Sequence, residues 1–578
     1  MRKAVPTALA VCALSLVLSL VAMHGASANN LPGRPDDSIL VKMPMRDGVR
    51  LSARIFRPPL TGKVPTILIR TPYGKDTDLP SSYRSFVDRG YAVVVQDVRG
   101  RYASEGVFHP LQQESGDGND TLNWIARQGW SNGDVGMMGG SYRGIVQWKA
   151  AIVGNPHLKA IFPVVAGSDE YRDRFYSPGG VMKLGHRLLW LAENLRVPTY
   201  ERPSFAEYVR HLPLRTIDAA TTGQRIDFYQ QALNHPSVDP YWEAMSTRAH
   251  LDQVRVPAFI VGGWYDNYAQ SDLETYSLLA KKSAVNRIVI GPWPHDMSIK
   301  FPGVDFGRDS GAPIRSYQLE WFDYWMKTPH PALEYRQPPV RIFVMGANKW
   351  RDEHEWPLAR ARYTPLYLTG KGNANSLKGD GELSHRPHAS DLPDDYVYDP
   401  RHPVPTTGGA ICCNPAVFGW GPKDQSAVEG RDDVLVFSTP ALKQDVEVTG
   451  PVRAVLYVST SQPDTDFTAK LVDVFPNGVA QNLTDGALRL RYRNSLEQPL
   501  LAKPGEVYQI GIDVGVTSNV FHAGHKIRLE VSSSNFPRFD RNPNTGRAIA
   551  EETELRVANQ RIYHGKQYPS YVLLPMIP

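Results

Sequence analysis

The sequence holds 578 residues, 42% apolar and 21% charged, with a formal net charge of +5. That is the balance of a globular chain with material for more than one buried core. Arg2 and Lys3 carry two of the charges, leaving about +3 (5 − 2), and no basic run or nucleic-acid motif accompanies them, which sets nucleic acid aside as a partner.

In chain order, Arg2-Lys3, an apolar run from Ala4 to Ala22 and Ala26-Ser27-Ala28 read as a secretory signal peptide over 1–28, cut after Ala28. The expectation is an exported protein, periplasmic or secreted, with no stable membrane span after signal removal. From Ile39 to Arg57 the pattern is a hairpin around Arg46-Asp47-Gly48. Short apolar runs follow at Val64 to Ile69, Tyr91 to Val95, Val135 to Met138, Leu158 to Val165, Val256 to Val261 and Arg287 to Ile290. Helical stretches separate them: Ser82 to Arg89, Asp117 to Gln128, Tyr142 to Val153, and later Asp272 to Lys281 and Ile314 to Trp325. This alternation predicts an α/β fold with a parallel sheet covered on both faces.

The alternation lapses after Asp169, in a segment rich in Arg, Tyr and Pro, which predicts a helical cap. From about residue 338 the segments alternate with period two and are β-branched, as in a jelly roll. The expected organisation is therefore a sheet domain over 35–168 and 251–337, a cap over 169–250, and an all-β jelly-roll domain over 338–578. Cys412 and Cys413 are adjacent, so they form a vicinal disulfide or stay as two small buried thiols; two cysteines are too few for a closed zinc site.

Chemistry concentrates at three strand ends. Met138-Gly139-Gly140-Ser141-Tyr142-Arg143-Gly144 follows an apolar strand and opens a helix, as a nucleophile elbow does, although its second glycine stands three residues after the serine rather than two. Asp266 follows Gly262-Gly263-Trp264-Tyr265, and His295 follows Gly291-Pro292-Trp293-Pro294. Ser, Asp and His in that order, each past a strand, suit a triad: Ser141 nucleophile, His295 base, Asp266 orienting the imidazole. The backbone N–H of Tyr142 and the phenol of Tyr73, in Arg70-Thr71-Pro72-Tyr73-Gly74-Lys75, are the candidate oxyanion donors. Trp264, Tyr265, Tyr268 and Trp293 are candidate pocket residues that suggest an apolar or aromatic acyl group.

With these motifs in view the chain resembles the cocaine esterase-like serine hydrolases, relatives of X-prolyl dipeptidyl peptidases and α-amino acid ester hydrolases. Gly139 to Gly144 matches the family's elbow and accounts for the displaced glycine. Thr71-Pro72-Tyr73 matches its oxyanion loop, and the segments ending at Asp266 and His295 match its acid and histidine segments. Gln96-Asp97-Val98-Arg99-Gly100 with Ser104-Glu105-Gly106 resembles its loop before the nucleophile helix. The resemblance implies an α/β-hydrolase fold with a cap, a C-terminal jelly roll, and hydrolysis of a small-molecule ester or amide with no metal or cofactor. No acidic pair follows Asp266, which counts against the α-amino acid ester hydrolases; Asp169, Glu170 and Asp173 at the start of the cap are candidates to hold an amine, against a helix-start and surface role. The reading is an exported carboxylic ester hydrolase. An X-prolyl dipeptidyl peptidase or other amidase is the enzymatic alternative. A glycan- or partner-binding protein with a degenerate hydrolase domain is the non-enzymatic one. The oligomeric state is left open.

Overall fold

The structure is a computed structural model that describes residues 38–578 except 76–77, 328–334, 336 and 389–391. The leader expected over residues 1–28 lies outside the described residues.

Ten strands make the first sheet: β1 (Ser38–Pro44), β2 (Arg50–Phe56), β3 (Val64–Thr71), β4 (Ala92–Asp97), β5 (Ser131–Gly140), β6 (Leu158–Val164), β7 (Phe259–Tyr265), β8 (Arg287–Pro294), β9 (Val340–Val344) and β10 (Lys349–Glu353). Their spatial order is β1-β2-β4-β3-β5-β6-β7-β8-β9-β10. The pairings from β4 to β9 are parallel; β1 with β2, β2 with β4, and β9 with β10 are antiparallel. Every residue of β3, β4, β7 and β8 is buried, as strands covered on both faces must be.

Period-two alternation sorts the core into two layers. Ile67, Ile69, Val93 and Val95 pack with Phe86, Trp321 and Phe322, from helices Ser81–Asp88 and Ile314–Met326. Leu68 and Val94 face Leu122, Ile125, Val146, Trp148, Leu273 and Tyr276 on the other side, from helices Glu114–Ala126, Tyr142–Ala151 and Ala269–Ala280.

Between β6 and β7 the chain forms the cap: a π-helix Glu170–Phe175, then helices Leu184–Asn194, Phe205–Tyr208, Ile217–Thr222, Asp227–Asn234 and Pro240–Met245. It has its own core, which includes Leu188, Leu191, Ile217, Tyr229 and Trp242. Eleven strands between Arg362 and Ile577 make the second sheet, paired antiparallel except for a parallel contact at Glu382↔Ser438. The cap rests on it: Gly185 N–H donates to the Pro537 carbonyl and Leu184 N–H to the Arg538 carbonyl.

One boundary moves. The strands after residue 338 were expected to open the β-rich domain, but β9 pairs in parallel with β8 at Ile288↔Val340 and β10 pairs with β9, so both close the first sheet. No helix among the described residues is long and apolar enough to cross a membrane.

Candidate active site

Ser141 stands between β5 and helix Tyr142–Ala151 with φ +57° and ψ −127°. A non-glycine residue there is strained, by about 1–3 kcal/mol, and must be held by its surroundings. Ser141 N–H donates to the Val164 carbonyl, and the Ser141 carbonyl accepts from Gly144 and Ile145. The displaced glycine has a steric reason: a Cβ on Gly144 would lie 2.7 Å from the Ala166 Cβ and 3.2 Å from the Gly139 carbonyl oxygen. Helix and strand approach so closely at this turn that only hydrogen fits.

His295 Nε2 lies 3.0 Å from Ser141 Oγ, and its Nδ1 lies 2.6 Å from Asp266 Oδ2. Asp266 is buried, and its other oxygen accepts from Tyr268 N–H at 2.9 Å. Asp266 and His295 are the first residues past β7 and β8, where the carboxyl ends of parallel strands open into a crevice.

Tyr142 is the first residue of its helix, so its N–H is one of the donors a helix leaves unpaired. Its side chain is fixed elsewhere: the phenol donates to Glu114 Oε1 at 2.7 Å, and Glu114 pairs with buried Arg70 at 2.7 Å. Burial, and then the Glu114 charge, hold the Tyr142 hydroxyl well above its usual pKa. Tyr73 lines the cavity beside Ser141. Its loop is pinned by buried Asp97, which accepts from both Lys75 N–H and Lys75 Nζ at 2.6 Å, and by Arg101 Nε, which donates to the Pro72 carbonyl. That gives the Gln96-to-Gly100 segment a role in holding Tyr73.

The cavity has about 500 Å³ of empty space including its mouth. Ser141, Tyr73, Tyr142, Leu111 and Ile145 form one side of it, and Arg174, Phe175, His186, Arg187, Trp190 and Phe228 from the cap face them. Cys412 and Cys413, joined as a disulfide, complete it from the β-rich domain.

Of the four aromatics expected in the pocket, only Tyr268 lines it. Trp264 is 1% exposed and donates to the Phe343 carbonyl; Trp293, also 1%, donates to the Ser310 carbonyl. Tyr265 is fully buried and donates to the Asn482 carbonyl, tying the two sheets together. The reason is strand length: β7 runs to Tyr265 and β8 to Pro294, so these rings are sheet residues packed on both faces rather than loop residues beyond the strands. The carboxylates at the start of the cap also stay out of the cavity, and two of them are buried rather than surface groups. Asp169 caps the π-helix by accepting from Arg172 N–H. Glu170 pairs with Lys149 at 2.7 Å. Asp173 accepts from Ser168 N–H, Asp169 N–H and Ser271 Oγ, and burial pushes its carboxyl up to about 6.

The cap side of the cavity was not foreseen. Helix Leu184–Asn194 reads LGHRLLWLAEN, and His186, Arg187 and Trp190 are the polar and indole groups on an otherwise apolar face. A histidine and an arginine inside such a buried run were the available signal.

Two family models match the chain: X-Pro dipeptidyl-peptidase (S15 family) over residues 47–296, and the X-Pro dipeptidyl-peptidase C-terminal non-catalytic domain over residues 334–573. The chain is 42% identical to cocaine esterase of Rhodococcus sp. (strain MB1 Bresler), over 93% of this chain and 98% of that one. Among solved structures it is similar to an aminopeptidase from the marine sediment archaeon Thaumarchaeota archaeon, with TM-score 0.83 and 28% identity over 96% of this chain and 99% of that one. It is also similar to an α-amino acid ester hydrolase, with TM-score 0.82 and 26% identity over 96% and 98% of the two chains. An α/β-hydrolase fold continued by a C-terminal jelly-roll β domain runs through these matches almost end to end, and with them the chain belongs to the family of serine hydrolases that includes cocaine esterase and the X-Pro dipeptidyl-peptidases.

Proposed function

We propose that this serine hydrolase is an exported carboxylic ester hydrolase that works through an acyl-enzyme on Ser141. The observation that carries the reading is the continuous chain from Ser141 Oγ through His295 to buried Asp266, with contacts of 3.0 and 2.6 Å, set on a strained elbow. Ser141 Oγ attacks the ester carbonyl carbon while its proton passes to His295 Nε2. Asp266 holds the imidazole in the tautomer that leaves Nε2 free to accept, and it stabilises the imidazolium that forms. The oxyanion meets Tyr142 N–H and the Tyr73 hydroxyl, donors worth roughly 3 kcal/mol each when aligned. The alcohol departs with the proton from His295, and water then repeats the sequence on the acyl-enzyme.

Ester rather than peptide hydrolysis is supported by the cavity wall. A peptidase that reads a free N-terminus needs a carboxylate to meet the ammonium, and none of the described residues that line the cavity is acidic. Export is supported by the charged, apolar and small-residue pattern of residues 1–28; the amino-terminal sequence of protein recovered outside the cytoplasm tests it, with cleavage after Ala28 expected. The activity is tested by comparing turnover of p-nitrophenyl acyl esters with that of X-Pro-p-nitroanilides. Ester turnover that far exceeds anilide turnover is expected, and the reverse order would make the chain a peptidase.

A further inference from the structure

Arg187 sits on the cap helix Leu184–Asn194, 8% exposed, with its side chain on the wall of the cavity that contains Ser141. Its Nη2 donates to the Arg174 carbonyl at 2.8 Å, and its Nε has no hydrogen-bond acceptor among the described residues. Among the described residues Arg187 has no ion pair. The guanidinium lies over the Phe175 ring, 4.5 Å from its centroid, and 5.9 Å from that of Trp190. Burial lowers its pKa to about 10, which leaves it cationic at neutral pH.

The neighbouring groups do not supply the missing charge. Among the described residues, Arg174, also on the wall, has Nε and Nη1 without hydrogen-bond acceptors, and the carboxylate beside it, Glu170 at 3.7 Å, is held more closely by Lys149 at 2.7 Å. Asp173 is occupied by two backbone donors and Ser271. His186, the remaining titratable group from the cap on this wall, is kept neutral by burial and by the charge of Arg187. Among the described residues, two guanidiniums and no carboxylate therefore face the space in front of the candidate nucleophile. A buried cation with free N–H groups is unfavourable unless an anion meets it, and a guanidinium fork matches a carboxylate.

We infer that the cavity selects esters that carry a carboxylate elsewhere in the molecule, with Arg187 as the residue that receives it and Arg174 as the second charge behind it. This deepens the esterase reading and rests on it. The aromatic rings of Phe175, Trp190 and Phe228 would then enclose the carbon chain between the ester and the anion, and an ammonium at that position would be repelled.

The test is a pH-stat comparison at pH 7.5 of monomethyl adipate, dimethyl adipate and methyl 6-aminohexanoate. A second pair, 4-acetoxybutyrate and butyl acetate, places the anion on the alcohol side. An anionic ester preferred over its neutral partner by about tenfold to hundredfold in kcat/KM is expected in one of the two series, the size of a charge-assisted hydrogen bond. The cationic ester should be the poorest substrate. In Arg187→Met the anionic-to-neutral ratio should fall toward one, and Arg187→Lys should restore part of it; a residue that only packs would change all esters alike and leave the ratio in place. Neutral esters cleaved as fast as anionic ones by the wild-type enzyme would overturn the inference while leaving the esterase intact. No turnover of any ester would overturn both.

Discussion

Trp190 Nε1 donates a hydrogen bond to the Tyr73 hydroxyl oxygen across 3.3 Å. The phenol oxygen is used as an acceptor from the cap side, which leaves its own hydrogen available to donate. The same indole stacks on the ring of Tyr142, with centroids 6.4 Å apart and planes at 7°. One cap residue thus touches the side chains of both residues assigned to the oxyanion site.

Tyr73→Phe should lower kcat by about 10²–10³ with little change in KM, because the donor acts on charge that appears only in the transition state. Trp190→Phe keeps an aromatic ring against Tyr142 but removes the N–H, and about a tenfold loss in kcat is expected. The double variant should be no worse than Tyr73→Phe alone, since both changes act through one hydroxyl. Steady-state kinetics on one p-nitrophenyl ester give all three values. Additive losses would mean that Trp190 acts elsewhere.

Much of this site was legible in the sequence, and the limits follow from particular residues. Ser141, Asp266 and His295 stood out because each follows a buried strand, and a parallel sheet gathers strand ends on one edge. The ends of β7 and β8 were misplaced because Gly262-Gly263 and Gly291-Pro292 look like breakers. They are instead close approaches inside the sheet: a Cβ on Gly263 would lie 2.1 Å from the Trp293 carbonyl oxygen, and one on Gly291 would lie 2.3 Å from the Trp293 ring. Three aromatics were assigned to the pocket by that error. Arg187 and Trp190 were missed because cap helices carry no strand-end signal and nothing local says which helix faces Ser141. The place of β9 was illegible for a similar reason, since alternation looks the same in either sheet and pairing is a long-range fact.

Gly144→Ala should destabilise the protein by about 1–3 kcal/mol, the range for an overpacked core. The added methyl meets Ala166 at 2.7 Å. Because the displaced turn carries Ser141, kcat should fall as well. Thermal denaturation and kcat measured together check this; a variant with unchanged stability would show that the helix can withdraw from Ala166.

Asp266→Asn should leave the fold intact and lower kcat by about 10⁴, the loss expected when the histidine is held in the wrong tautomer. Circular dichroism and kinetics on the same preparation decide it. A loss below about tenfold would assign the acid role to another carboxylate.

His186 is buried on the cavity wall, and its Nε2 has no hydrogen-bond partner among the described residues. Burial, then the charges of Arg187 and Lys183, hold its pKa well below 6.5. The unfolded chain takes up this proton below about pH 6.5 and the folded chain does not, so stability falls as pH falls. The loss sets in as pH falls through the ordinary histidine range and grows toward acid. His186→Leu should flatten the urea-denaturation stability curve between neutral pH and about pH 5.5. An equal acid slope in both proteins would mean that His186 gains its proton without unfolding.

The central claim is that Ser141 forms the covalent intermediate, and phosphonofluoridate labelling of the purified protein with peptide mapping tests it most directly. One phosphonyl group on the peptide that contains Ser141, with ester turnover lost in step and no label in Ser141→Ala, is the predicted result. Label on another residue, or a Ser141→Ala variant that still turns over esters, would contradict it.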